Sequence, residues 1–305
     1  MGPTLRQIRS FLAVVEAGSV SEAAAALGLT QPAASQQLRE LERSLGVRLL
    51  ERAKGRVLPT AAGEAILAPA RRALAAVDDI RAGVAAFRDG AAGRVRLGTG
   101  ATACIHLLPP VLAALKAQVP GAEVIISIGN TTEMLRQVEE GSLDAALVTL
   151  PAPISRALCT TVVATDPLLA LLPRDLVPPG RAALSATELL GLPLILYEPG
   201  GSTRAIIDGW FRRAGQVPQP VMELGSIEAI KVLVGNGSGG SVVPALALAG
   251  AAGEVPGAVA CPLSPPLSRR LAIVLRREKV LDRVLRALLS GLQAHAGAGA
   301  APSLS

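Results

Sequence analysis

Residues 19–28, 29–46 and 47–56 read SVSEAAAALG, LTQPAASQQLRELERSLG and VRLLERAKGR. Gly28 and Gly46 interrupt two helical patterns, and a basic segment that ends at Arg56 follows the second one. This spacing predicts two short helices joined by a tight turn and then a basic hairpin. Such an order is typical of a winged helix-turn-helix, whose second helix enters the major groove of DNA.

The residues around this stretch predict where each helix begins and ends. Upstream, apolar residues recur at three- and four-residue steps and indicate a first helix with one buried face; they are Leu5, Ile8, Phe11, Leu12 and Val15. Gly18 is expected to end that helix, and either Ser19 or Ser21 to cap the next. Thr30 is expected to cap the third helix, with Pro32 in its first turn.

The third helix has an apolar side and a polar side. Leu38, Leu41 and Leu45 form the predicted inner stripe, and Leu29 is expected to be a buried turn residue. The outer side carries Gln31, Ala33, Ser35, Gln36, Gln37 and Arg39. Gln can donate and accept hydrogen bonds at adenine edges, small residues allow close approach, and Arg and Ser can hold phosphates. Taken singly, these residues would equally suit an ordinary solvated helix face.

The whole arrangement from about residue 5 to residue 63 resembles the N-terminal domain of LysR-type transcriptional regulators. The shared residues are Phe11, Gly18-Ser19, Ala23-Ala24, Leu27, Gln31-Pro32-Ala33, Ser35, Leu38, Leu41-Glu42, Leu45-Gly46, Leu49-Leu50-Glu51-Arg52 and Thr60-x-x-Gly63. The resemblance implies that the third helix approaches bases while a wing over residues 52–58 reaches the minor groove. The DNA-contacting residues are predicted to be Thr30, Gln31, Pro32, Ala33, Ser35, Gln36, Arg39, Arg52, Lys54 and Arg56.

Two positions depart from the family pattern. The family often has Arg where Gln36 stands, so the preference for bases in the major groove is expected to differ. Gly55 stands where the wing usually has its Arg, and Lys54 and Arg56 flank it. We therefore assign the wing contact to Arg56, with Lys54 as its helper.

A heptad pattern follows the wing. Its residues step by four and three: Ile66, Ala70, Ala73, Val77, Ile80, Val84 and Phe87. Such a seam indicates two helices that supercoil together, although a helix packed on its own domain is an open alternative. Pro69 is expected to kink or loosen the helix. By the resemblance, this linker dimerises and tetramers are common, so we expect a homodimer or homotetramer that presents two recognition helices to two half-sites.

Beyond residue 93 the pattern alternates strands with helices, which predicts parallel sheets with helices on both faces. Strands are expected at 94–98, 124–128, 145–148, 194–197, 221–224 and 241–243, and helices at 104–118, 133–140, 203–214, 227–234 and 280–294. Two such units predict two lobes, with the chain crossing between them near 162–166 and 265–270. The resemblance extends to a periplasmic-binding-protein-like effector domain with this architecture.

The predicted fold class is therefore α/β: a mainly α winged helix-turn-helix, a long linker helix and a two-lobed effector domain. The predicted ranges are 1–60 for DNA binding, 61–90 for the linker and 91–295 for the effector domain. Lobe 1 is assigned to 91–164 and 268–295, and lobe 2 to 165–267. Residues 296–305 are expected to be a disordered tail.

Four strand-to-helix turns carry small polar residues where helix N-termini offer free N–H groups to a ligand. The predicted effector-binding residues are Thr99, Gly100, Ala101, Thr102, Asn130, Thr131, Ser202, Thr203, Arg204 and Ser226. Ordinary helix capping would explain any one of these turns equally well. Four turns that converge on one cleft, with Arg204 in a first helical turn, favour a small anionic or polar ligand.

Further segments of this region resemble the family, and two of them indicate its branch. Residues 141–148 and 235–244 match it generally, whereas 198–204 and 222–231 resemble the branch that holds regulators of carbon fixation and sulfur assimilation. That resemblance implies a small anionic metabolite as the effector.

Composition excludes several other classes. No run approaches the roughly 18 apolar residues of a membrane span, and Arg6 and Arg9 are followed by no apolar core of a signal peptide. The three cysteines are far apart and odd in number, which implies neither a disulfide framework nor a zinc site. We therefore expect a cytoplasmic protein with no cofactor, no metal and no membrane partner. The net charge of +6 by itself says little about the class of partner.

Enzyme interpretations find little support. Residues 98–103 (GTGATA) mimic a dinucleotide fingerprint, but the acidic residue it needs is missing from the end of the next strand, where Glu123 lies at the start instead. No G-x-S-x-G elbow is present, and His106 is expected to be a packed or surface residue. Cys104 is expected to be structural, with a redox role as the alternative.

The sequence thus predicts a DNA-binding transcriptional regulator that responds to a small anionic metabolite, rather than an enzyme. Its expected partners are double-stranded DNA, the metabolite and further copies of the chain. The rival interpretation is a free-standing small-molecule binding protein whose N-terminal helices only mediate assembly.

Overall fold

The structure, a computed structural model, describes residues 2–53, 55–85, 93–177, 182–250 and 253–298. The chain divides into two units, the first formed by Met1–Val84 with Glu140–Ser142 and the second by Ala85–Glu139 with Leu143–Ser305. Among the described helices, none is long and apolar enough to cross a membrane.

The first unit opens with three helices whose ends lie where the sequence predicts them. They are α1 (Leu5–Ala17), α2 (Val20–Ala26) and α3 (Gln31–Leu45). Gly18 and Gly46 end α1 and α3 with φ of +68° and +74°, a left-handed conformation that favours glycine. Ser19 caps α2, and the Thr30 hydroxyl accepts from the backbone N–H of Ala33 to cap α3.

Apolar residues from these helices and from the chain that follows them form the core of the first unit. Its buried members are Phe11, Leu12, Val14, Ala23, Leu38, Leu41, Leu49 and Ala70. Leu38 and Leu41 are therefore inside, as predicted, but Leu45 is 39% exposed. Leu45 is the last residue of α3, directly before the turn at Gly46, so it lies at the edge of this core. Leu29 is only half-buried.

The wing is an antiparallel hairpin of β1 (Leu50–Ala53) and β2 (Arg56–Pro59). Glu42 of α3 fixes its start, because one carboxylate oxygen accepts hydrogen bonds from the backbone N–H groups of Leu49 (2.8 Å) and Leu50 (3.3 Å). A hairpin was expected at 52–58, and the paired strands extend slightly beyond that range.

The linker helix α4 spans Ala61–Ala85 and continues through Pro69. Ile66 and Ala70, which the heptad pattern places in an intermolecular seam, instead pack on the core of their own unit. Ile80 and Val84, further along the helix, are 68% and 52% exposed. The seam prediction is therefore wrong for the first turns of α4, because the hydrophobic core of the winged domain already covers that face. Phe87 lies outside the described residues.

The first lobe of the second unit contains a parallel three-stranded arrangement. Its elements are β3 (Arg94–Thr99), α5 (Ala101–His106), α6 (Leu108–Gln118), β4 (Glu123–Ile128), α7 (Thr131–Glu140) and β5 (Ala145–Leu150). The single helix expected over 104–118 is two helices that meet at Leu107. Pro109 and Pro110 explain the break, because Pro has no N–H for a continuous helix and is tolerated in a first turn.

Two long antiparallel strands cross between the lobes, β6 (Leu158–Pro173) and β11 (Ala258–Arg276). They bring the order of the large sheet to β10-β6-β11-β5-β3-β4, where β10 is Ser241–Pro244. The sheet is thus mixed and not purely parallel as expected. Asp166 pairs with Arg269 in the register, inside the two segments predicted to cross.

The second lobe is built on the other half of these crossing strands. It contains β7 (Leu184–Ser185), α8 (Ala186–Leu190), β8 (Ile195–Tyr197), α9 (Ser202–Arg213), β9 (Met222–Leu224) and α10 (Ile227–Gly235). Trp210 lies in its core and donates from Nε1 to the carbonyl oxygen of Pro265 (2.8 Å).

The last helix, α11 (Arg283–Ala298), packs on the first lobe through Val284, Leu285, Leu288 and Leu292. The helix expected over 280–294 is therefore confirmed in its place. It continues past residue 295, where a disordered tail was expected to begin, and residues 299–305 lie outside the described residues.

Candidate nucleic-acid interface and ligand cavity

The outer side of α3 presents the residues predicted to contact DNA. Thr30, Gln31, Pro32, Gln36 and Arg39 are exposed, and Ala33 and Ser35 are half-buried. The structure therefore brings these residues together on one accessible surface of the first unit. Gln37 has a different role from these residues. Its side-chain oxygen accepts a hydrogen bond from the buried Ser10 hydroxyl (2.7 Å) and so links α3 to α1.

Gln36 is held by a neighbour on the same helix. Its side-chain N–H donates to Glu40 Oε1 (2.9 Å), while Gln7 donates to Glu40 Oε2 (3.1 Å). These bonds, from Gln36 first and then Gln7, lower the pKa of Glu40 and keep it ionised as an acceptor. Because the side-chain nitrogen of Gln36 donates to Glu40, its amide oxygen is the atom that can accept a hydrogen bond from a donor on a base edge.

The wing carries the remaining predicted contacts. Arg52 and Arg56 are exposed, whereas Lys54 lies outside the described residues. The Arg56 guanidinium lies over Gly18, where an added Cβ would come within 2.8 Å of it. A side chain on Gly18 would displace Arg56, so this glycine both ends α1 and makes room for the wing arginine.

In the second unit, a cavity of about 150 Å³ lies between the two lobes, at the ends of α5, α7 and α9. The predicted effector-binding residues that line it are Gly100, Ala101, Thr102, Asn130, Thr131, Ser202, Thr203 and Arg204. Thr99 is not among them; it is buried, and its hydroxyl donates to the Gly100 carbonyl. Ser226 is not among them either, because its hydroxyl caps α10 by accepting from the Ala229 N–H (3.4 Å).

Polar side chains line the cavity from both lobes. From the first lobe, Thr102 is buried, and Asn130 accepts from the Glu133 N–H (2.9 Å), which leaves its amide N–H groups as donors. From the second lobe, the Thr203 hydroxyl accepts from Arg269 (3.0 Å) and so keeps its own hydrogen to donate. Hydroxyl and amide donors together with helix N-termini form an environment suited to an acceptor-rich ligand.

Arg204 contributes less positive charge than its position suggested. Its guanidinium donates to Asp208 (2.8 Å), to Glu223 (2.7 Å) and to the Tyr197 carbonyl. Burial acts to lower the pKa of Arg204, but these carboxylates outweigh it and raise the pKa overall. Arg204 therefore lines the cavity with its guanidinium engaged by two carboxylates of the same lobe, and it adds no net positive charge there.

Sequence reasoning missed Arg269 and Tyr197, which also line the cavity. Arg269 pairs with the buried carboxylate of Asp166 through Nε and Nη2, both at 2.9 Å from Oδ2. Burial raises the pKa of Tyr197, and its hydroxyl has no hydrogen-bond partner among the described residues. For Arg269, the available signal was one acidic and one basic residue, Asp166 and Arg269, inside the two segments predicted to cross, because charged residues in buried strands are usually paired.

The glycine pattern of residues 98–103 is explained by packing. A Cβ on Gly98 would approach Leu143 Cδ1 to 2.4 Å and Met134 Sδ to 2.6 Å. Glu123 pairs with Arg94 at 2.8 Å, far along the strand from this turn. Gly98 therefore allows a strand to pack closely on two apolar side chains, and the pattern gives no evidence for a dinucleotide.

All three cysteines are free thiols. Cys104 packs against the core of the first lobe, and no cysteine is among the described residues that line the cavity. Cys159 donates to the Leu275 carbonyl (3.5 Å), and burial raises the pKa of Cys261. Within the described part of the chain, no group of His, Cys, Asp or Glu is arranged to hold a metal ion.

Comparison with known proteins places this architecture in a family. Residues 5–64 match the family described as "Bacterial regulatory helix-turn-helix protein, lysR family", and residues 88–297 match the "LysR substrate binding domain". The chain belongs to the LysR family. It is accordingly a DNA-binding transcriptional regulator with an effector-binding domain, and not an enzyme.

Similar LysR-family proteins support this assignment over most of the chain. The "Uncharacterized HTH-type transcriptional regulator YnfL" of Escherichia coli is 34% identical over 80% of this chain and 83% of its own length. The "HTH-type transcriptional regulator CbbR" of Rhodospirillum rubrum is 31% identical over 96% of each chain.

Solved structures show the same organisation. A full-length OxyR variant from Pseudomonas aeruginosa has a TM-score of 0.77 at 25% identity, covering 96% of this chain and 95% of that one. Full-length CbnR in complex with its target DNA has a TM-score of 0.68 at 26% identity, covering 96% of this chain and all of the other.

Proposed function

We propose that this LysR-family regulator recognises an operator through α3 and the wing and is controlled by a small anionic metabolite bound between the lobes of its second unit. The observation that carries the proposal is the pairing of an accessible polar helix face in the first unit with a donor-lined cavity in the second. A free-standing binding protein would need the second feature but has no use for the first.

For DNA recognition, the proposal assigns base contacts to Gln31, Ser35 and Gln36, and backbone contacts to Arg39, Arg52 and Arg56. A duplex bound through phosphates releases counterions, so affinity should fall steeply with salt. Fluorescence anisotropy with the promoter fragment upstream of the protein's own gene tests this directly. Equal affinity for that fragment and for random duplex at moderate salt would reject the DNA-binding part of the proposal.

The anionic character of the effector rests on the donors that line the cavity. The N-termini of α7 and α9, the hydroxyls of Thr102 and Ser202 and the Asn130 amide all favour negative charge or lone pairs on a ligand. A cavity of about 150 Å³ accommodates a compact molecule. The paired carboxylate of Asp166 does not oppose an anion, because Arg269 neutralises it.

A titration with a panel of small anions tests the effector site. Calorimetry should detect binding of at least one of phosphate, sulfate and succinate. Thr102→Ala and Ser202→Ala should each weaken that binding by about tenfold, because each removes one hydrogen bond to a charged group. Thr132→Ala is the matched control, because Thr132 is exposed and does not line the cavity. Unchanged binding in both cavity variants would remove the basis for this site.

Assembly is proposed to use the exposed part of α4. Ile80 and Val84 lie on the same heptad seam and are exposed. Two copies joined there would present two recognition helices to the half-sites of a roughly palindromic operator, as a homodimer or within a homotetramer. Ile80→Asp should lower the mass measured by light scattering, and an unchanged mass would show that another surface holds the oligomer together.

A further inference from the structure

A second and larger cavity lies in the effector-binding unit, away from the helix N-termini that surround the first. Its volume is about 530 Å³, within the range of roughly 300–1,000 Å³ typical of small-molecule sites. Among the described residues, only Leu271 lines both cavities. The second cavity is therefore lined by an almost entirely different set of residues from the first.

Most of its wall is apolar. Leu107, Pro110, Leu169, Ala245 and Leu248 are representative of the lining. Such a surface favours a ligand whose body is a hydrocarbon ring or chain, because the apolar area removed from water supplies the binding free energy.

His106 places a hydrogen-bonding atom in this wall. Its side chain is only 1% exposed, and Nε2 lies 3.0 Å from Glu228 Oε1. Its other ring nitrogen, Nδ1, is buried and has no partner among the described residues. A buried polar atom without a partner costs free energy unless something in the cavity satisfies it.

The partner of His106 determines what Nδ1 can do. Burial acts to raise the pKa of Glu228, but hydrogen bonds from Lys231 and His106 outweigh it and lower the pKa overall. The Glu228 carboxylate accepts, so the hydrogen that His106 donates lies on Nε2, and in the tautomer with that single ring hydrogen Nδ1 is an acceptor. His295, which lines the same cavity, donates from Nδ1 to the Gly291 carbonyl (3.0 Å), and in the corresponding tautomer its Nε2 is an acceptor.

The one carboxylate in the wall is already satisfied. Asp166 Oδ1 accepts from the Leu246 N–H (2.9 Å), and its Oδ2 pairs with Arg269. Asp166 therefore supplies no net charge that would recruit a cation. The remaining chemistry is an apolar space with acceptor nitrogens at its edge.

We propose that this cavity is a second ligand site, which takes an uncharged, mainly apolar molecule bearing a hydroxyl, such as a phenol, with the hydroxyl donating to His106 Nδ1. This site is additional to the anion site between the lobes and does not depend on it.

The test compares 4-ethylphenol with 4-ethylanisole, in which a methyl group replaces the donated hydrogen, by calorimetry on the full-length protein. The phenol should bind at least about tenfold more tightly than the ether, the value of one buried hydrogen bond. His106→Phe should abolish that preference while it preserves the shape of the ring. Ala245→Phe should fill the cavity and remove binding of both compounds, whereas Ala214→Phe, at an exposed position of the same lobe, should change neither.

Three results would overturn the proposal. They are no binding of the phenol at millimolar concentration, equal affinity for phenol and ether in the unmodified protein, and binding that survives Ala245→Phe. The comparison of the two compounds on the unmodified protein keeps the test decisive even if His106→Phe does not fold.

Discussion

Gly63→Ala should destabilise the winged domain, because there is no room for a methyl group where α4 meets the wing. A Cβ on Gly63 would lie 2.2 Å from the Leu49 carbonyl oxygen and 3.1 Å from Pro59 Cβ. Ordinary contact begins at 3.4 Å, so helix and wing have to separate by 3.4 − 2.2 = 1.2 Å. The same carbonyl accepts from the Thr60 N–H (2.9 Å), and that bond is strained by the separation.

The magnitude follows from three contributions. Overpacking costs about 1–3 kcal/mol, and weakening one backbone hydrogen bond costs about 1 kcal/mol. Replacing glycine inside a helix returns about 1 kcal/mol, because alanine loses less backbone entropy on folding. The free energy of unfolding of the first unit should therefore fall by about 1–3 kcal/mol.

Two optical probes make the assay specific to one unit. Trp210 is the only tryptophan in the sequence and is buried in the second lobe, so its fluorescence in urea reports the second unit. Far-UV circular dichroism reports the helices of both units. With an m-value of about 1 kcal/mol/M for a unit this small, Gly63→Ala should move the first unit's transition down by about 1 M or more and leave the fluorescence transition in place.

Gly201→Ala is the matched control for this experiment. Gly201 has φ of −80°, and a Cβ there would meet nothing within 4 Å. This change should be neutral or stabilising by up to about 1 kcal/mol. A Gly63→Ala midpoint within about 0.3 M of the unmodified protein would refute the steric reasoning.

Three further predictions concern the charge network, the interface and the core. Asp144→Asn should destabilise the first lobe by about 3–5 kcal/mol, because Arg96 and Lys279 then face a neutral amide. Burial acts to raise the pKa of Asp144, but hydrogen bonds from Arg96 and Lys279 lower the pKa overall. The stabilisation that Asp144 gives is therefore present above the unfolded pKa of about 4 and is lost as pH falls through the folded pKa. The thermal unfolding temperatures of the unmodified protein and the variant should accordingly converge as the pH falls below about 4. Arg39→Ala should reduce the slope of log affinity against log salt by about 1 if Arg39 contacts a phosphate, and an unchanged slope would place it off the DNA. Leu41→Ala should cost about 2–5 kcal/mol in urea unfolding of the first unit, since its side chain is buried in that core; a loss below about 1 kcal/mol would contradict the assigned packing.

The winged domain was largely predictable because local signals fix it. Glycines with positive φ at 18 and 46, hydroxyl caps at 19 and 30 and a three- and four-residue apolar period each act within one or two turns of chain. The turns that line the cavity between the lobes were predictable for the same reason, since each follows a strand and begins a helix.

What the sequence did not predict depends on surroundings that come from distant chain segments. The heptad period is the same whether Ile66 and Ala70 meet a second copy or the core of their own domain, and only the fold shows that the core takes them. Arg204 lines the cavity, as its place at a helix start suggested, but its pairing with Glu223, 19 residues further along the chain, was not visible in the local pattern.

The sequence by itself determined the architecture, the recognition helix and the donor-rich turns, because helix caps, periodicity and strand–helix alternation are local properties of the chain. Only the tertiary structure decided which charges remain available to a ligand. Asp166 and Arg269 are 103 residues apart, and burial pairs them on adjacent strands. The tertiary structure likewise decided that His106 contacts Glu228. The pairing of buried polar groups depends on which surfaces the fold brings together, and residue spacing along the chain does not encode those contacts.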